Sequence, residues 1–171
     1  MKRVLFIIAP LNFNDAELEM PKEILEDAGM ICDVASLTSG PAKGMNGLMT
    51  KPDFVVDKVD IENYAGVVVV GGSGSPVLSK NEKILSILQK AVTLKKIIGA
   101  ICLGSLTLLK AGILTGKKGT GWKCPEMMQT FSSGGGQFVD QGVVLDGYIV
   151  TAQGPQFAEE FGKKLLELLK K

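Results

Sequence analysis

Three short runs in this chain are apolar at almost every position: RVLFII (Arg3 to Ile8), GVVVVGG (Gly66 to Gly72) and KIIGAI (Lys96 to Ile101). A strand with one wet face alternates apolar and polar residues, so an uninterrupted run must be covered on both sides. Strands of that kind belong to a mainly parallel sheet with helices on each face. The intervening segments fit. A helical pattern runs from about Ala16 to Ala28 and closes on Gly29. ICDVAS (Ile31 to Ser36) reads as a further strand. Ser79 and Glu82 form a capping box for a helix through about Leu94. SLTLLKAG gives a short helix ended by Gly112, VVLDGYIV a hairpin around its Asp-Gly step, and the segment from about Phe157 to Leu169 an amphipathic last helix. The Gly-, Lys- and Pro-rich stretch from Ser39 to Asp60 is expected at a sheet edge, with a short hairpin in MTKPDFVVDKV. The expectation is one α/β domain over residues 1–171, a sandwich around a mainly parallel sheet, with ligands gathering at the carboxyl ends of the strands.

Several function classes are disfavoured by composition. Nineteen basic residues balance eighteen acidic ones, and no basic block or interleaved aromatic stripe suggests nucleic acid. No apolar run nears the ~20 residues that span a bilayer, and the apolar opening is too short for a secretory signal. Three cysteines without a CxxC pair suit a reducing compartment, so a cytoplasmic protein is expected. Histidine is absent from all 171 residues. That removes a Ser-His-Asp or Cys-His relay and any imidazole metal site, and neither a metal nor a cofactor is expected.

Chemistry concentrates at two strand ends. In IIGAICLGS, Cys102 falls at the sharp turn between a strand and a helix, flanked by Gly99 and Gly104. Free N–H groups and the dipole at the helix start favour a thiolate there, and such sites lower a thiol pKa. The competing reading is a buried cysteine that acts as a small hydrophobe. In VVVVGGSGSP the glycine pair can turn amides toward a neighbouring site. It lacks the third glycine of a dinucleotide loop and the Lys-Ser/Thr ending of a phosphate loop.

AICLGSLTLLKAGILTGKKGT resembles the core of the ThiJ/PfpI superfamily, which includes intracellular proteases and a deglycase. NFNDAELEMPKEILEDAG is similar to the family's first helix, VVVVGGSGSPVLSKNEKI to its glycine strand end, and VVLDGYIVTAQGP to its late hairpin. The resemblance implies a flavodoxin-like three-layer sandwich. It carries the nucleophile to Cys102, the acidic partner to Glu17, and the amides facing the site to Gly72 and Leu103. Glu17 would then hold a proton beside the sulfur and act as general acid or base. From the residues alone, Glu17 also fits a capping box that starts at Asn14, with Asp15 and Glu19 on solvated faces. Two departures stand out. Proteolytic members place histidine directly after the cysteine, where this chain has Leu103; deglycase-like members keep one in a loop where it has Trp122. Trp122 reads as an apolar pocket wall or a core aromatic, Cys124 as a resolving thiol or a half-buried loop residue, Cys32 as core, and Met127 and Met128 as helix packing.

The resemblance therefore implies a cysteine-dependent enzyme acting on small reactive carbonyls, in the manner of a glyoxalase or deglycase, or on labile amides. A redox-sensing stress-response protein that oxidises Cys102, and a binding module with a decayed site, are the alternatives; a cysteine peptidase is disfavoured without histidine. A small-molecule substrate is expected, with no nucleic-acid or membrane partner, and the family's habit implies a homo-oligomer.

Overall fold

The apolar runs form strands sealed on both sides. A computed structural model describes residues 1–171. Its strands are β1 (Arg3–Ile7), β2 (Leu11–Phe13), β3 (Ile31–Ser36), β4 (Ala42–Gly44), β5 (Met49–Thr50), β6 (Phe54–Val55), β7 (Gly66–Val69), β8 (Ile97–Ile101), β9 (Lys118–Gly119), β10 (Gln137–Phe138), β11 (Val143–Asp146) and β12 (Ile149–Ala152). The helices are α1 (Asp15–Asp27), α2 (Glu82–Thr93), α3 (Ser105–Lys110), α4 (Pro125–Ser133) and α5 (Ala158–Leu169). Seven strands make the main sheet in the order β11-β12-β8-β7-β1-β3-β6. Every pairing is parallel except the β11–β12 hairpin.

Strand side chains alternate between two cores, as period-two geometry requires. Leu5, Ile7, Val67 and Val69 pack with Leu88 of α2, Leu108 of α3 and Phe131 of α4. Val4, Phe6, Val68 and Val150 pack with Leu25 of α1 and Phe161 and Leu165 of α5. The result is a three-layer α/β sandwich of the flavodoxin-like kind. No helix is long and apolar enough to cross a membrane.

Two local expectations give way to tertiary bonds. MTKPDFVVDKV does not form a hairpin: β5 pairs antiparallel with β4 in a small separate sheet, while β6 pairs parallel with β3 at the edge of the main one. Asp53 sets that division. Its N–H donates to Val34 C=O and its carboxylate accepts from Val34 N–H, both at 2.8 Å, fixing β6 onto β3 just after Pro52. The cap of α2 is Asn81, whose Oδ1 accepts from Ile84 N–H at 3.1 Å. Ser79 belongs to the preceding 3-10 turn and donates to Pro76 C=O.

Candidate active site

Four chain segments converge beyond the carboxyl ends of the central strands. β1 leads through β2 into α1 and Glu17, β7 runs into Gly71 and Gly72, β8 ends at Cys102, and β12 is followed by Gly154 and Pro155. This is where a parallel sheet leaves room for a ligand.

Cys102 sits at the bend expected from its neighbours. It opens a 3-10 turn that runs into α3, and its φ of 59° is left-handed, a conformation that costs a non-glycine residue ~1–3 kcal/mol. The N–H groups of Leu103 and Gly72 face its sulfur.

Glu17 is held by half of a capping box. Asn14 Oδ1 accepts from Glu17 N–H at 3.2 Å, but the Glu17 carboxylate does not reach back to the helix entry. It crosses to β7 instead, where Oε2 accepts from Gly71 N–H at 2.9 Å. Asn14 N–H donates to Gly71 C=O at 3.0 Å, so both backbone groups of Gly71 are bonded to the start of α1. Only glycine fits there: a Cβ would collide with Glu17 Oε2, Ile101 C=O and the Cβ of Cys102. Gly72 follows at φ 107°, a left-handed turn that points its amide at the sulfur.

Glu17 is 0% exposed and Cys102 7%. Glu17 Oε1 is sealed without a hydrogen-bond partner of its own, and the side chain with which the carboxyl interacts is the Cys102 thiol. Burial raises the Glu17 pKa to about 7, opposed by its contacts with Cys102 and Gly71.

The acidified thiol expected from the helix start is not found. Burial, and then the charge of Glu17, push the Cys102 thiol up to about 12, against the lowering effect of the Leu103 and Gly72 amides. α3 spans only six residues and starts three positions beyond the sulfur, so its dipole is short and does not offset desolvation. Both groups are thus pushed toward their protonated forms, and the thiol keeps its proton beside the Glu17 carboxyl. Moving that proton to Glu17 removes the negative charge that resists ionisation of the thiol. This arrangement suits general-base assistance better than a standing thiolate.

A cavity of about 270 Å³ opens beside the sulfur. It is lined by Gly72, Cys102 and Leu103, by the apolar Met45, Trp122 and Pro155, and by the polar Asn14 and Ser73. Trp122 is thus a pocket wall, 45% exposed. Its N–H donates to Cys102 C=O at 3.1 Å. The segment that carries it is pinned from below: Ser105 Oγ donates to Thr120 C=O, and Thr120 N–H donates to Thr151 Oγ1, both at 2.8 Å. A larger cavity of about 430 Å³, lined by residues of α1 together with Val34, Leu48 and Thr50, contains no cysteine.

Other expectations separate here. Asp15 is buried, not solvated: its oxygens accept from Asn46 and Leu48 N–H at 2.9 and 2.8 Å. They hold the turn that presents Met45, whose Sδ accepts from Ser73 N–H at 3.5 Å. Glu19 is exposed. Cys124 precedes α4, packs against the core and does not line the cavity. Cys32 is core, with its thiol raised to about 12 by burial. Met127 is buried and Met128 exposed. The sequence reading missed Asn14, Met45, Ser73 and Pro155 as pocket residues. Asn14 carried a capping signal and Pro155 a turn signal, but nothing local marks Met45.

The sequence profile of the DJ-1/PfpI family matches residues 2–168. The chain belongs to the DJ-1/PfpI family. A deglycase of Pyrococcus horikoshii is 33% identical over 98% of this chain and 99% of its own length. A glutathione-independent glyoxalase of Caenorhabditis elegans is 27% identical over 98% of this chain and 89% of its own. The crystal structure of a ThiJ/PfpI domain protein from Brachyspira murdochii superposes with a TM-score of 0.94 at 28% identity, covering 98% of this chain and 96% of that one. Within this DJ-1/PfpI chain, Leu103 and Trp122 place apolar groups beside the sulfur.

Proposed function

We propose that this DJ-1/PfpI protein is a cysteine-dependent enzyme that converts small reactive carbonyl compounds, α-oxoaldehydes or their adducts, through Cys102 and Glu17. The observation that carries the reading is the Glu17–Cys102 pair, sealed from water so that burial raises the pKa of both groups, at the edge of an open cavity. The names of the deglycase and glyoxalase relatives support the same class.

With methylglyoxal, Sγ bonds to the aldehyde carbon, the carbonyl π pair moves to oxygen, and the S–H proton passes to Glu17. The Leu103 and Gly72 amides are the donors available to the oxyanion. A proton then shifts from the former aldehyde carbon to the neighbouring carbonyl carbon. This leaves a thioester, which water cleaves to a hydroxy acid and the free thiol. The net change is addition of one water, with no redox partner. Peptide hydrolysis is disfavoured, because no imidazole is available to protonate a leaving amine.

The test is methylglyoxal consumption by wild type, Cys102→Ser and Glu17→Gln. Consumption that vanishes in Cys102→Ser and falls at least about a hundredfold in Glu17→Gln is expected. Consumption undiminished in Cys102→Ser, or absent from wild type, overturns the reading. A second reading rests on the unpartnered Glu17 Oε1, which, when it carries the carboxyl proton, donates to an oxygen added to sulfur. Two equivalents of peroxide would then convert Cys102 to a sulfinate, seen as a gain of two oxygens at that residue in a protein that turns over no aldehyde.

A further inference from the structure

The cavity is both larger and less polar than a three-carbon oxoaldehyde requires. Its volume of about 270 Å³ approaches the ~300 Å³ at which pockets for drug-sized ligands begin. Apart from Cys102, no lining residue is ionisable. Lys123, next in sequence to Trp122, is engaged by Asp140 at 2.6 Å and lines a different cavity. Glu17, buried beside the sulfur, is anionic above about pH 7 and repels a substrate carboxylate. Three apolar side chains are held in place around the opening by their own backbone or sulfur contacts. The Trp122 N–H is bonded to Cys102, Met45 Sδ accepts from Ser73 N–H, and Leu103 directly follows the nucleophile. Trp122 is nearly half exposed, so a bound ring would cover part of it.

Building on the proposed carbonyl chemistry, we propose that the cavity selects uncharged α-oxoaldehydes bearing an apolar, ring-sized substituent, with Trp122, Met45 and Leu103 setting the selection. The carbonyl pair lies against the Leu103 and Gly72 amides, and the substituent lies along the indole. A small substituent leaves that wall wet, and an anionic one brings a charge into a site with no cation to receive it.

Two measurements test this. In the first, kcat/KM is compared for phenylglyoxal, methylglyoxal and the anionic 4-carboxyphenylglyoxal, in wild type and Trp122→Ala. Phenylglyoxal is expected to exceed methylglyoxal by about tenfold or more, with 4-carboxyphenylglyoxal below phenylglyoxal. Trp122→Ala is expected to remove most of that advantage by lowering kcat/KM for phenylglyoxal more than for methylglyoxal. Side reaction of phenylglyoxal with arginine is confined to Arg3, the only arginine, which is paired with Asp33 at the opposite end of the sheet. In the second, iodoacetamide labelling of Cys102 is followed by peptide mass in the presence of acetophenone, acetone or benzoate, none of which is turned over. Acetophenone is expected to slow labelling several-fold where equal concentrations of the other two do not, and Trp122→Ala to abolish the protection.

Equal protection by benzoate or acetone, or no protection by any of the three, overturns the selection. So does a phenylglyoxal advantage that survives in Trp122→Ala. If acetophenone protects but no aldehyde is consumed, the selection stands and the proposed chemistry falls. If methylglyoxal is consumed without an aromatic preference, the chemistry stands and the selection falls.

Discussion

Glu17 is expensive to ionise, and that cost has two measurable signs. Its pKa is raised from 4.5 to about 7, so the folded protein binds its proton more tightly than the unfolded chain does. The contribution to stability is complete below about pH 4.5 and is lost as pH rises through about 7. A shift of that size corresponds to a contribution on the order of 3 kcal/mol. Glu17→Gln keeps an oxygen for Gly71 N–H and never ionises. It should therefore melt several degrees above wild type at pH 8 and close to it at pH 4.5, as read by calorimetry. Activity moves in the opposite sense. If the carboxylate is the base, log kcat/KM rises with unit slope below about pH 7 and levels above it, and the inflection disappears in Glu17→Gln. A flat profile from pH 5.5 to 9 would remove Glu17 from the proton path. Stability lost and reactivity gained over one pH interval is the expected signature of a buried base.

At the scale of elements, the loop that bears Trp122 is set by two buried side-chain hydroxyls and one main-chain bond. Thr151→Val keeps the shape of the side chain but leaves Thr120 N–H buried without an acceptor, at a cost of about 1–3 kcal/mol. The loosened loop should raise KM more than it lowers kcat, and Thr151→Ser should restore both. Equal KM in Thr151→Val and wild type would show that the tie serves stability alone. Nothing in the order of residues announces it, because Ser105, Thr120 and Thr151 lie on three separate elements. The strands and helices themselves were readable: β3 spans ICDVAS as expected, β8 begins one residue inside its apolar run and ends with it, and Gly29 and Gly112 follow α1 and α3 at φ 84° and 76°. Expectations failed where a long-range bond overrode a local preference, as when Asp53 took β6 to the main sheet and Asn81 displaced Ser79 as the cap. The bend at Cys102 was legible because its glycines and flanking periodicities are local. The acidity of its thiol was not, because burial by distant elements decides it.

Across the whole molecule, adhesion and chemistry occupy opposite ends of the strands. At the amino ends Arg3 of β1 pairs with Asp33 of β3 at 2.6 Å, and Tyr64 Oη–H donates to the same carboxylate at 3.0 Å. Tyr64→Phe should cost about 1 kcal/mol and lower the melting temperature by about 2–4 °C, with kcat/KM within about twofold of wild type. A larger loss of activity at unchanged substrate affinity would mean that the two ends are coupled through the sheet.

The lone tryptophan gives the molecule an unusual optical property. Its emission originates entirely at the mouth of the cavity, while circular dichroism averages over every helix and strand. If the mouth opens before the sheet melts, a fluorescence transition in denaturant will precede the dichroic one. The gap between the two curves would then measure how independently the entrance can breathe.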